Sequence, residues 1–333
     1  MSTVAVIGDG QMGLVLADAL HCRGVHVRVW GPFSDAVTEL RETRKSPRLK
    51  EFTLEDSIVV TNDAQEALDG VEVALNAIPT QFIRTVWDNI SSELPVGIPV
   101  GCVAKGIELE THLLPTQILE EMIGDSHTTC VLSGPTIATE LVRRQPAVMV
   151  SSSSDETVAT RMQELFDVPW LRIYTHGDPL GVELAGALKN VIAIAAGICD
   201  GMQLGDNAKS AMLARGLAEI SRLGVAMGAE LETFFGIAGV GDLATTCFSP
   251  HGRNRTCGER LGRGETVDTI TETMGSVVEG VPTTKAVRFL AQEHGVEMPI
   301  SNVMYSVLFE ELSITDAIRV LMSRDLRAEQ LRR

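Results

Sequence analysis

The sequence lacks the patterns that are typical of disulfide-bonded proteins, of metal-binding proteins and of membrane-spanning proteins. Its six cysteines form no CxxC pair, which predicts reduced thiols, no disulfide and no zinc site. The histidines show no HExxH or similar spacing, so we expect no metal. The longest unbroken apolar runs, such as 191–199, fall far short of the roughly 20 residues that cross a bilayer. No basic segment followed by a long hydrophobic stretch opens the sequence, so we expect a cytoplasmic protein without membrane insertion.

The sequence also lacks an excess of positive charge. Its formal net charge is −16 at pH 7. Nucleic acids and anionic membranes select basic surfaces, so this composition argues against either as a partner. An anionic substrate therefore needs a local pocket of positive charge.

The length and the residue pattern indicate two domains. At 333 residues the chain exceeds an ordinary domain of about 100 to 200 residues. Short apolar runs that alternate with helix-like segments predict the buried strands of a doubly wound, Rossmann-type sheet. The predicted strands are 4–7, 25–30, 71–78, 100–104 and 130–132.

Helices are predicted between the strands and throughout the second half. The first covers 14–23, and a later one covers 155–166 after a serine-rich loop at 151–154. From residue 180 onward, apolar residues recur at helical spacing. We therefore predict an α/β domain at 1–177 and an all-helical domain at 178–333.

A glycine-rich segment follows the first predicted strand. Gly8, Gly10 and Gly13 fit GxGxxG, Gln11 and Met12 lie inside the motif, and the segment opens a predicted helix. Backbone N–H groups at such a turn and the positive end of the helix can receive a pyrophosphate, which predicts NAD or NADP as cofactor. The alternative is a glycine-rich turn without a ligand.

The acidic residue that commonly identifies NAD is missing. Such a residue at the end of the second strand would bind the ribose 2′-hydroxyl, but the strand here ends in Trp30-Gly31-Pro32. Arg23 or Arg28 could instead meet a 2′-phosphate, although an ordinary solvated arginine is the simpler interpretation. The sequence leaves the choice between NADH and NADPH open.

Two further segments follow predicted strands, at the sheet edge where α/β folds bind ligands. Lys105 follows one strand, and Gly134 and Thr136 follow another. We interpret these residues as candidates for the pocket. The alternatives are a solvated turn at Lys105 and a plain turn with a helix cap at the second segment.

An apolar predicted helix carries the main catalytic candidate. Lys189 is surrounded in the sequence by small and apolar residues. Lysine is seldom fully buried without a partner, and burial lowers its pKa toward the range useful for proton transfer. The alternative is a lysine that extends from the helix edge to water.

A polar segment further along offers charged and hydrogen-bonding groups. Asp242 lies in GVGDLATT, and Arg253, Asn254 and Arg255 follow shortly afterwards. Arginine suits forked recognition of phosphate. The alternative is a polar loop between helices.

With these segments in view, the chain resembles the bacterial type of NAD(P)-dependent glycerol-3-phosphate dehydrogenase. The resemblance covers essentially the whole length and rests on VIGDGQMG, AIPT, AKGIE, SGPTIATEL, GALKNVIAIAAG, ARGLAEISRLG, GVGDLATTC, GRNR and VVEGVPTT, in the order and spacing of the family. It implies interconversion of dihydroxyacetone phosphate and sn-glycerol 3-phosphate by hydride transfer with NAD(P)H. It further implies a homodimer that supplies glycerol 3-phosphate for phospholipid synthesis.

The resemblance also implies a role for individual residues. Lys189 would donate and accept the proton at the C2 oxygen, Lys105 would bind and polarise the substrate, and Asp242 would support the catalytic lysine. The residues implied in substrate binding are Lys105, Gly134, Thr136, Lys189, Asp242, Gly252, Arg253 and Asn254. The residues implied in cofactor binding are Gly8, Gly10, Gln11, Met12, Gly13, Lys105, Ala138, Arg253, Val277 and Glu279.

The glycine loop departs from the family pattern. The family usually has a small residue at Asp9, serine at Gln11 and an aromatic residue at Met12. A carboxylate at Asp9 is unfavourable near a pyrophosphate unless its side chain points away.

Two other functions stay open from the sequence. One is a related two-domain dehydrogenase acting on a 3-hydroxy acid, against which the GRNR segment argues because a carboxylate substrate needs no phosphate clamp. The other is a non-catalytic NAD(P)-binding sensor, which the altered glycine loop would permit.

Overall fold

The chain folds into two units, described here by a computed structural model over residues 2–275, 277–326 and 328–329. The first unit comprises the residues up to Ala104 together with Leu114–Pro179. The second comprises Lys105–Leu113 and the residues from Leu180 onward. The chain therefore leaves the first unit at Lys105 and returns to it at Leu114.

The first unit is a sheet flanked by helices. Its continuous apolar strand β1 is fully buried from Val4 to Ile7, as expected for a strand covered on both faces. The elements in chain order are β1 (Thr3–Ile7), α1 (Gln11–Cys22), β2 (His26–Trp30), α2 (Ser34–Thr43), β3 (Lys45–Ser46), β4 (Leu49–Thr53), β5 (Val59–Thr61), α3 (Ala64–Leu68), β6 (Val73–Asn76), α4 (Ile83–Ile90), β7 (Val100–Cys102), α5 (Pro115–Ile123), β8 (Thr129–Ser133), α6 (Ala138–Val142), β9 (Ala147–Ser152), α7 (Glu156–Phe166) and β10 (Leu171–His176).

The strand order is that of a doubly wound sheet. It runs β10-β9-β8-β7-β6-β1-β2-β5, with β1 paired in parallel to both β2 and β6. The chain moves outward from β1 in two directions, which creates a switch point between β1 and β6 where such sheets bind ligands. The predicted Rossmann-type sheet followed by a helical region is confirmed.

The sheet departs from the predicted pattern at one end. β9 pairs antiparallel with β8, and β10 pairs in parallel with β9, so the last two strands run against the rest. The connection from β8 to β9 contains only the 5-residue helix α6. After this connection the chain returns as an antiparallel strand.

Two predicted boundaries were wrong in ways that matter locally. The helix predicted from residue 14 begins at Gln11, because Gly10 is its N-cap residue. The serine run was predicted to be a loop, yet Ser151 and Ser152 belong to β9. Asp155 is the N-cap residue of α7, and its Oδ1 accepts a hydrogen bond from the Thr157 N–H at 2.8 Å.

The second unit is helical from Leu180 onward. Its helices are α8 (Pro179–Gly201), α9 (Asp206–Ala226), α10 (Leu231–Phe235), α11 (Asp242–Phe248), α12 (Arg253–Gly262), α13 (Val267–Thr273), α14 (Gly280–Glu293), α15 (Pro299–Phe309) and α16 (Ile314–Met322). A wide helical turn, Ile237–Gly241, joins α10 to α11. Among the described residues, α8 alone has the length and hydropathy of a membrane span, and its apolar window is entirely buried inside the protein.

Glycines bring α8 and α12 into close contact. A β-carbon added to Gly197 would lie 2.0 Å from the Arg255 carbonyl oxygen, and one added to Gly258 would lie 1.9 Å from that of Ile194. Neither distance is possible for a real side chain, so the two backbones pack directly against each other. This packing fixes α12 along the side of α8.

A buried carboxylate joins α9 to the start of α15. Oε1 of Glu219 accepts from the Ile300 N–H at 2.6 Å, and Oε2 accepts from the Ser301 N–H at 3.2 Å. Both N–H groups belong to the first turn of α15, where a helix offers no backbone carbonyl group to accept their hydrogen bonds. Burial raises the pKa of Glu219 from 4.5 to about 7, although the two backbone donors oppose the shift.

Candidate active site

Lys189 of α8 is buried and paired with groups on α11. Its side chain is 7% exposed, and Nζ donates a hydrogen bond to Asp242 Oδ1 at 2.7 Å. Nζ also donates to Thr246 Oγ1. The alternative of a lysine extending to water is therefore wrong.

Asp242 connects this lysine to a second one. It is the first residue of α11 and 3% exposed, and its Oδ2 accepts from Lys105 Nζ at 2.6 Å. Thr246 follows four residues later, so the two side chains lie on the same face of the helix. One carboxylate thus holds two ammonium groups.

The segment Lys105–Leu113 positions Lys105 by its own hydrogen bonds and by a ring contact. The Glu108 N–H donates to the Leu113 carbonyl oxygen at 2.9 Å, which closes the segment into a loop. The His112 ring stacks on Phe289 of α14, with ring centroids 3.9 Å apart and planes 7° from parallel. These contacts explain why the segment belongs with the helical unit and not with the sheet that precedes and follows it.

Burial and charge set the protonation of the cluster. Burial lowers the pKa of Lys189 from 10.5 to about 8; Asp242 opposes this shift and the charge of Lys105 adds to it. Burial alone would raise the pKa of Asp242, but the charges of Lys105 and Lys189 outweigh it and hold that pKa below its ordinary value.

The cluster can therefore exchange a proton and hold an anion. Two lysines and one aspartate give it one formal net positive charge, and the Lys189 and Asp242 side chains are nearly buried. A lysine with a pKa near 8 can donate and regain a proton close to physiological pH. The net charge supplies the local cationic site that an acidic protein needs for an anionic substrate.

The start of α12 lies beside α8. Asn254 Nδ2 donates to Asn190 Oδ1 at 2.9 Å, and Asn254 Oδ1 accepts from the Gly280 N–H at 2.8 Å. Asn254 thereby joins the start of α12 to the residue after Lys189 and to the first residue of α14. Its predicted substrate contact stays a prediction, and the structure shows an additional structural role.

The two arginines of the GRNR segment differ sharply. Arg253, the first residue of α12, is exposed, and its guanidinium makes no hydrogen bond or ion pair within the described ranges. Arg255 is 13% exposed and binds Asp200 at 2.6 Å and Glu259 at 3.2 Å. Arg253 is therefore the guanidinium available to an anion, together with the N–H groups after the N-cap residue Gly252.

The glycine loop of the first unit suits a dinucleotide. A β-carbon on Gly13 would lie 2.1 Å from the Gly8 carbonyl oxygen, and one on Gly8, where φ is +124°, would lie 2.9 Å from the Ala77 carbonyl carbon, so the turn requires glycine at both positions. A β-carbon on Gly10 would meet no atom within 4 Å, so protein packing does not require glycine there. Because Gly10 also provides no side-chain cap to α1, the helix N-terminus is open to a pyrophosphate.

The residues that replace the family pattern in this loop have partners of their own. Gln11 Nε2 donates to the Arg48 carbonyl oxygen at 2.5 Å, in the turn between β3 and β4. Met12 packs against the core of the first unit. Gln11 thus joins the glycine loop to the antiparallel hairpin of β3 and β4, which the sequence did not predict.

Other predicted positions fall at strand and helix ends. Gly134 is buried directly after β8 with φ +148°, and Thr136 Oγ1 donates to its carbonyl oxygen at 3.2 Å. Ala138 is the first residue of α6, and Glu279 is the N-cap residue of α14, with Val277 two residues before it. The binding roles of these five residues stay predictions.

The structure therefore joins Lys105, Lys189 and Asp242 within the second unit, and places the glycine loop and Gly134 to Ala138 in the first. Sequence reasoning did not single out Thr246 as a partner of Lys189, although its spacing of four residues from Asp242 was a usable signal. Across the described ranges, no group of histidine, cysteine, aspartate and glutamate side chains has the arrangement of a metal site.

Comparison with known proteins gives consistent matches over the whole chain. The family model "NAD-dependent glycerol-3-phosphate dehydrogenase N-terminus" matches residues 3–159, and the corresponding C-terminus model matches residues 178–319. The NAD(P)+ glycerol-3-phosphate dehydrogenase of Staphylococcus haemolyticus is 44% identical over 332 residues, which is 99% of this chain and 100% of the relative. That of Staphylococcus epidermidis is 45% identical over the same length. The crystal structure of glycerol-3-phosphate dehydrogenase from Coxiella burnetii has a TM-score of 0.93 and 31% identity, covering 97% of this chain and 99% of that one.

Proposed function

The chain belongs to the NAD-dependent glycerol-3-phosphate dehydrogenase family, and from this premise we propose how its own residues carry out the reaction. The protein is an oxidoreductase that interconverts dihydroxyacetone phosphate and sn-glycerol 3-phosphate with NAD(P)H. Membership of this family sets aside both the 3-hydroxy acid dehydrogenase and the non-catalytic sensor. The observation that carries the residue assignment is the buried carboxylate shared by two lysines.

We assign the proton transfer to Lys189. When bound, the dinucleotide supplies the hydride to C2 of the ketone. Lys189 Nζ then gives its proton to the C2 oxygen, and in the reverse direction the neutral amine takes the proton from the hydroxyl group. Its pKa of about 8 allows both steps near physiological pH.

The partners of Lys189 have separate tasks. Asp242 holds both ammonium groups in place and keeps Lys189 protonated at neutral pH, because its charge raises the pKa of that lysine. Lys105, whose side chain is 21% exposed, faces the substrate and stabilises negative charge that develops on the C2 oxygen. Thr246 fixes the direction of the Lys189 ammonium group.

The substrate phosphate is assigned to the start of α12. Arg253 offers a guanidinium fork that no described residue pairs with, and the first N–H groups of the helix have no side-chain cap. Asn254 holds this helix end beside Asn190, one residue after the catalytic lysine. The phosphate would thereby be held at a fixed place relative to the reacting carbon.

We further propose that the protein acts in the cytoplasm as a homodimer and supplies glycerol 3-phosphate for phospholipid synthesis. The support for this proposal is the similarity to the family over the whole chain. Light scattering during size-exclusion chromatography tests the dimer directly, and a monomer at micromolar concentration would contradict it.

The assignment of Lys189 is tested by removing its amine. Lys189→Met should lower kcat/KM for dihydroxyacetone phosphate by about 100- to 10,000-fold with either NADH or NADPH, the usual loss for a general acid. Lys209→Met is the matched control, because Lys209 is also nearly buried in the helical unit and paired with an aspartate, Asp200, at 2.7 Å. Melting curves check that both variants fold. Equal activity in the two variants would contradict the assignment.

A further inference from the structure

The carboxylate of Asp9 lies against Gly31, immediately after β2. A β-carbon added to Gly31 would be 2.9 Å from Cγ and Oδ2 of Asp9 and 2.7 Å from Cγ2 of Val37. A side chain at position 31 would therefore require the Asp9 carboxylate and the Val37 side chain to move. Asp9 occupies the space in which such a side chain would begin.

This place matters because it lies at the end of the second strand. Ile7 pairs in register with Trp30, so Asp9 and Gly31 leave the sheet at the same edge. Dinucleotide folds that use NAD commonly have an acidic residue here, which binds the 2′-hydroxyl of the adenosine ribose. β2 ends at Trp30 without one, yet a carboxylate reaches the position from the glycine loop.

We propose that Asp9 takes the place of the acidic residue missing from β2, accepts a hydrogen bond from the ribose 2′-hydroxyl, and so selects NADH over NADPH. The inference rests on the proposed dinucleotide site at the glycine loop. NADPH would bring a doubly charged 2′-phosphate beside this carboxylate, and like charges at that distance repel. The position of Asp9 toward Gly31 also explains how a carboxylate is tolerated in a pyrophosphate-binding loop.

Arg48 is the charged group that opposes this selection. Its carbonyl oxygen is held by Gln11, which brings the β3–β4 turn next to the first residue of α1. Burial raises the pKa of Asp9 above its ordinary value, while hydrogen bonding within the residue and the charge of Arg48 act in the other direction. The Arg48 side chain is exposed, whereas Asp9 is half-buried and fixed against Gly31, so the selection is assigned to Asp9.

The test is cofactor binding in the absence of substrate. Asp9→Asn keeps the size and a hydrogen-bond acceptor but removes the charge. Fluorescence titration should show that the ratio of the NADPH Kd to the NADH Kd falls about tenfold or more. Asp9→Ala is a second variant, with a smaller uncharged side chain. In both variants, the preference for NADH measured by kcat/KM at fixed dihydroxyacetone phosphate should fall by the same factor as the ratio of the Kd values. Asp167→Asn, an exposed position in the same unit, is the control for an equal change of net charge.

The outcomes separate this inference from the proposed function. An unchanged ratio in both Asp9 variants, with turnover retained, would overturn the role of Asp9 and leave the dehydrogenase intact. An equal change in Asp167→Asn would assign the effect to net charge and overturn the inference as well. If the ratio of the two Kd values changed in Arg48→Gln but in neither Asp9 variant, Arg48 would determine the cofactor preference, and the inference would be overturned. If the unmodified protein bound neither cofactor, the proposed function itself would fail, and this inference with it.

Discussion

Replacing Asp242 by asparagine should shift the pH dependence of dihydroxyacetone phosphate reduction toward acid. The carboxylate lies 2.7 Å from Lys189 Nζ and is the group that opposes the effect of burial on that pKa. Two charges about 4 Å apart at an effective dielectric of about 20 interact by about 4 kcal/mol, which corresponds to about 3 pH units. Neighbouring opposite charges shift protein pKa values by about 1 to 3 pH units in practice. The pKa of Lys189 should therefore fall from about 8 to between about 5 and 7.

The sign of the expected change follows from the role of the ammonium group. Reduction needs protonated Lys189, so kcat/KM is constant at low pH and declines as the pH rises through the pKa of the free enzyme. In Asp242→Asn this decline should begin at least about one pH unit lower, because fewer molecules carry the proton at neutral pH. Initial rates of NADH oxidation at subsaturating dihydroxyacetone phosphate, measured across the pH range, give this profile directly.

Asp200→Asn is the matched control. Asp200 also pairs with two cations in the helical unit, Lys209 and Arg255, but not with Lys189. Its variant should retain the pH profile of the unmodified protein. If Asp242→Asn lost activity while its profile kept the same midpoint, Asp242 would be a structural residue that does not set the protonation of Lys189.

Four further variants test other charged side chains of the helical unit. Lys105→Met should shift the decline in reduction toward higher pH, opposite to Asp242→Asn, because the charge of Lys105 lowers the pKa of Lys189; an acid shift in the pH profile would refute this. Arg253→Gln should raise the KM for dihydroxyacetone phosphate by about 10-fold or more with little change in melting temperature. Arg255→Gln should instead lower the melting temperature because Asp200 and Glu259 each lose one partly buried ion pair, and an equal rise of the KM in both variants would contradict the distinction. The folded-state pKa of Glu219, about 7, exceeds its ordinary value of 4.5. The carboxyl group therefore contributes fully to the unfolding free energy below a pH of about 4.5, and this contribution is lost as the pH rises to about 7. Between those limits the unfolding free energy of Glu219→Gln should gain about 3 kcal/mol relative to the unmodified protein in denaturant titrations, and a constant difference would contradict it.

Much of the fold could be predicted because its signals are local. The run from Val4 to Ile7 and the glycines after it indicate a buried strand and a tight turn without reference to distant residues. The reversal of β9 and β10 had no such signal, because the apolar pattern of a strand does not determine the direction in which it pairs. The hairpin of β3 and β4 was also missed, because its strands are too short to show a period.

Some residues of the candidate site could also be predicted from the sequence, whereas their long-range contacts could not. The apolar surroundings of Lys189 were enough to select it as a catalytic candidate, whereas its grouping with Lys105 and Asp242 came from the resemblance to the family. The sequence could not show that Asn254 bonds to Asn190 and Gly280, which are 64 and 26 residues away. It also could not show that Asp9 fills the space beside Gly31, because that contact depends on the register of β1 and β2.

The most direct test of the account is the pH dependence of both reaction directions in the unmodified protein. With Lys189 as acid and base, kcat/KM for reduction should be level below a pH of about 8 and decline above it. For glycerol 3-phosphate oxidation, kcat/KM should rise up to the same pH and then become level, because the neutral amine accepts the proton. A shared midpoint near 8 that disappears in Lys189→Met would support the central claim. A reduction rate that stayed level well above that pH, or an oxidation rate that did not rise with pH, would contradict it.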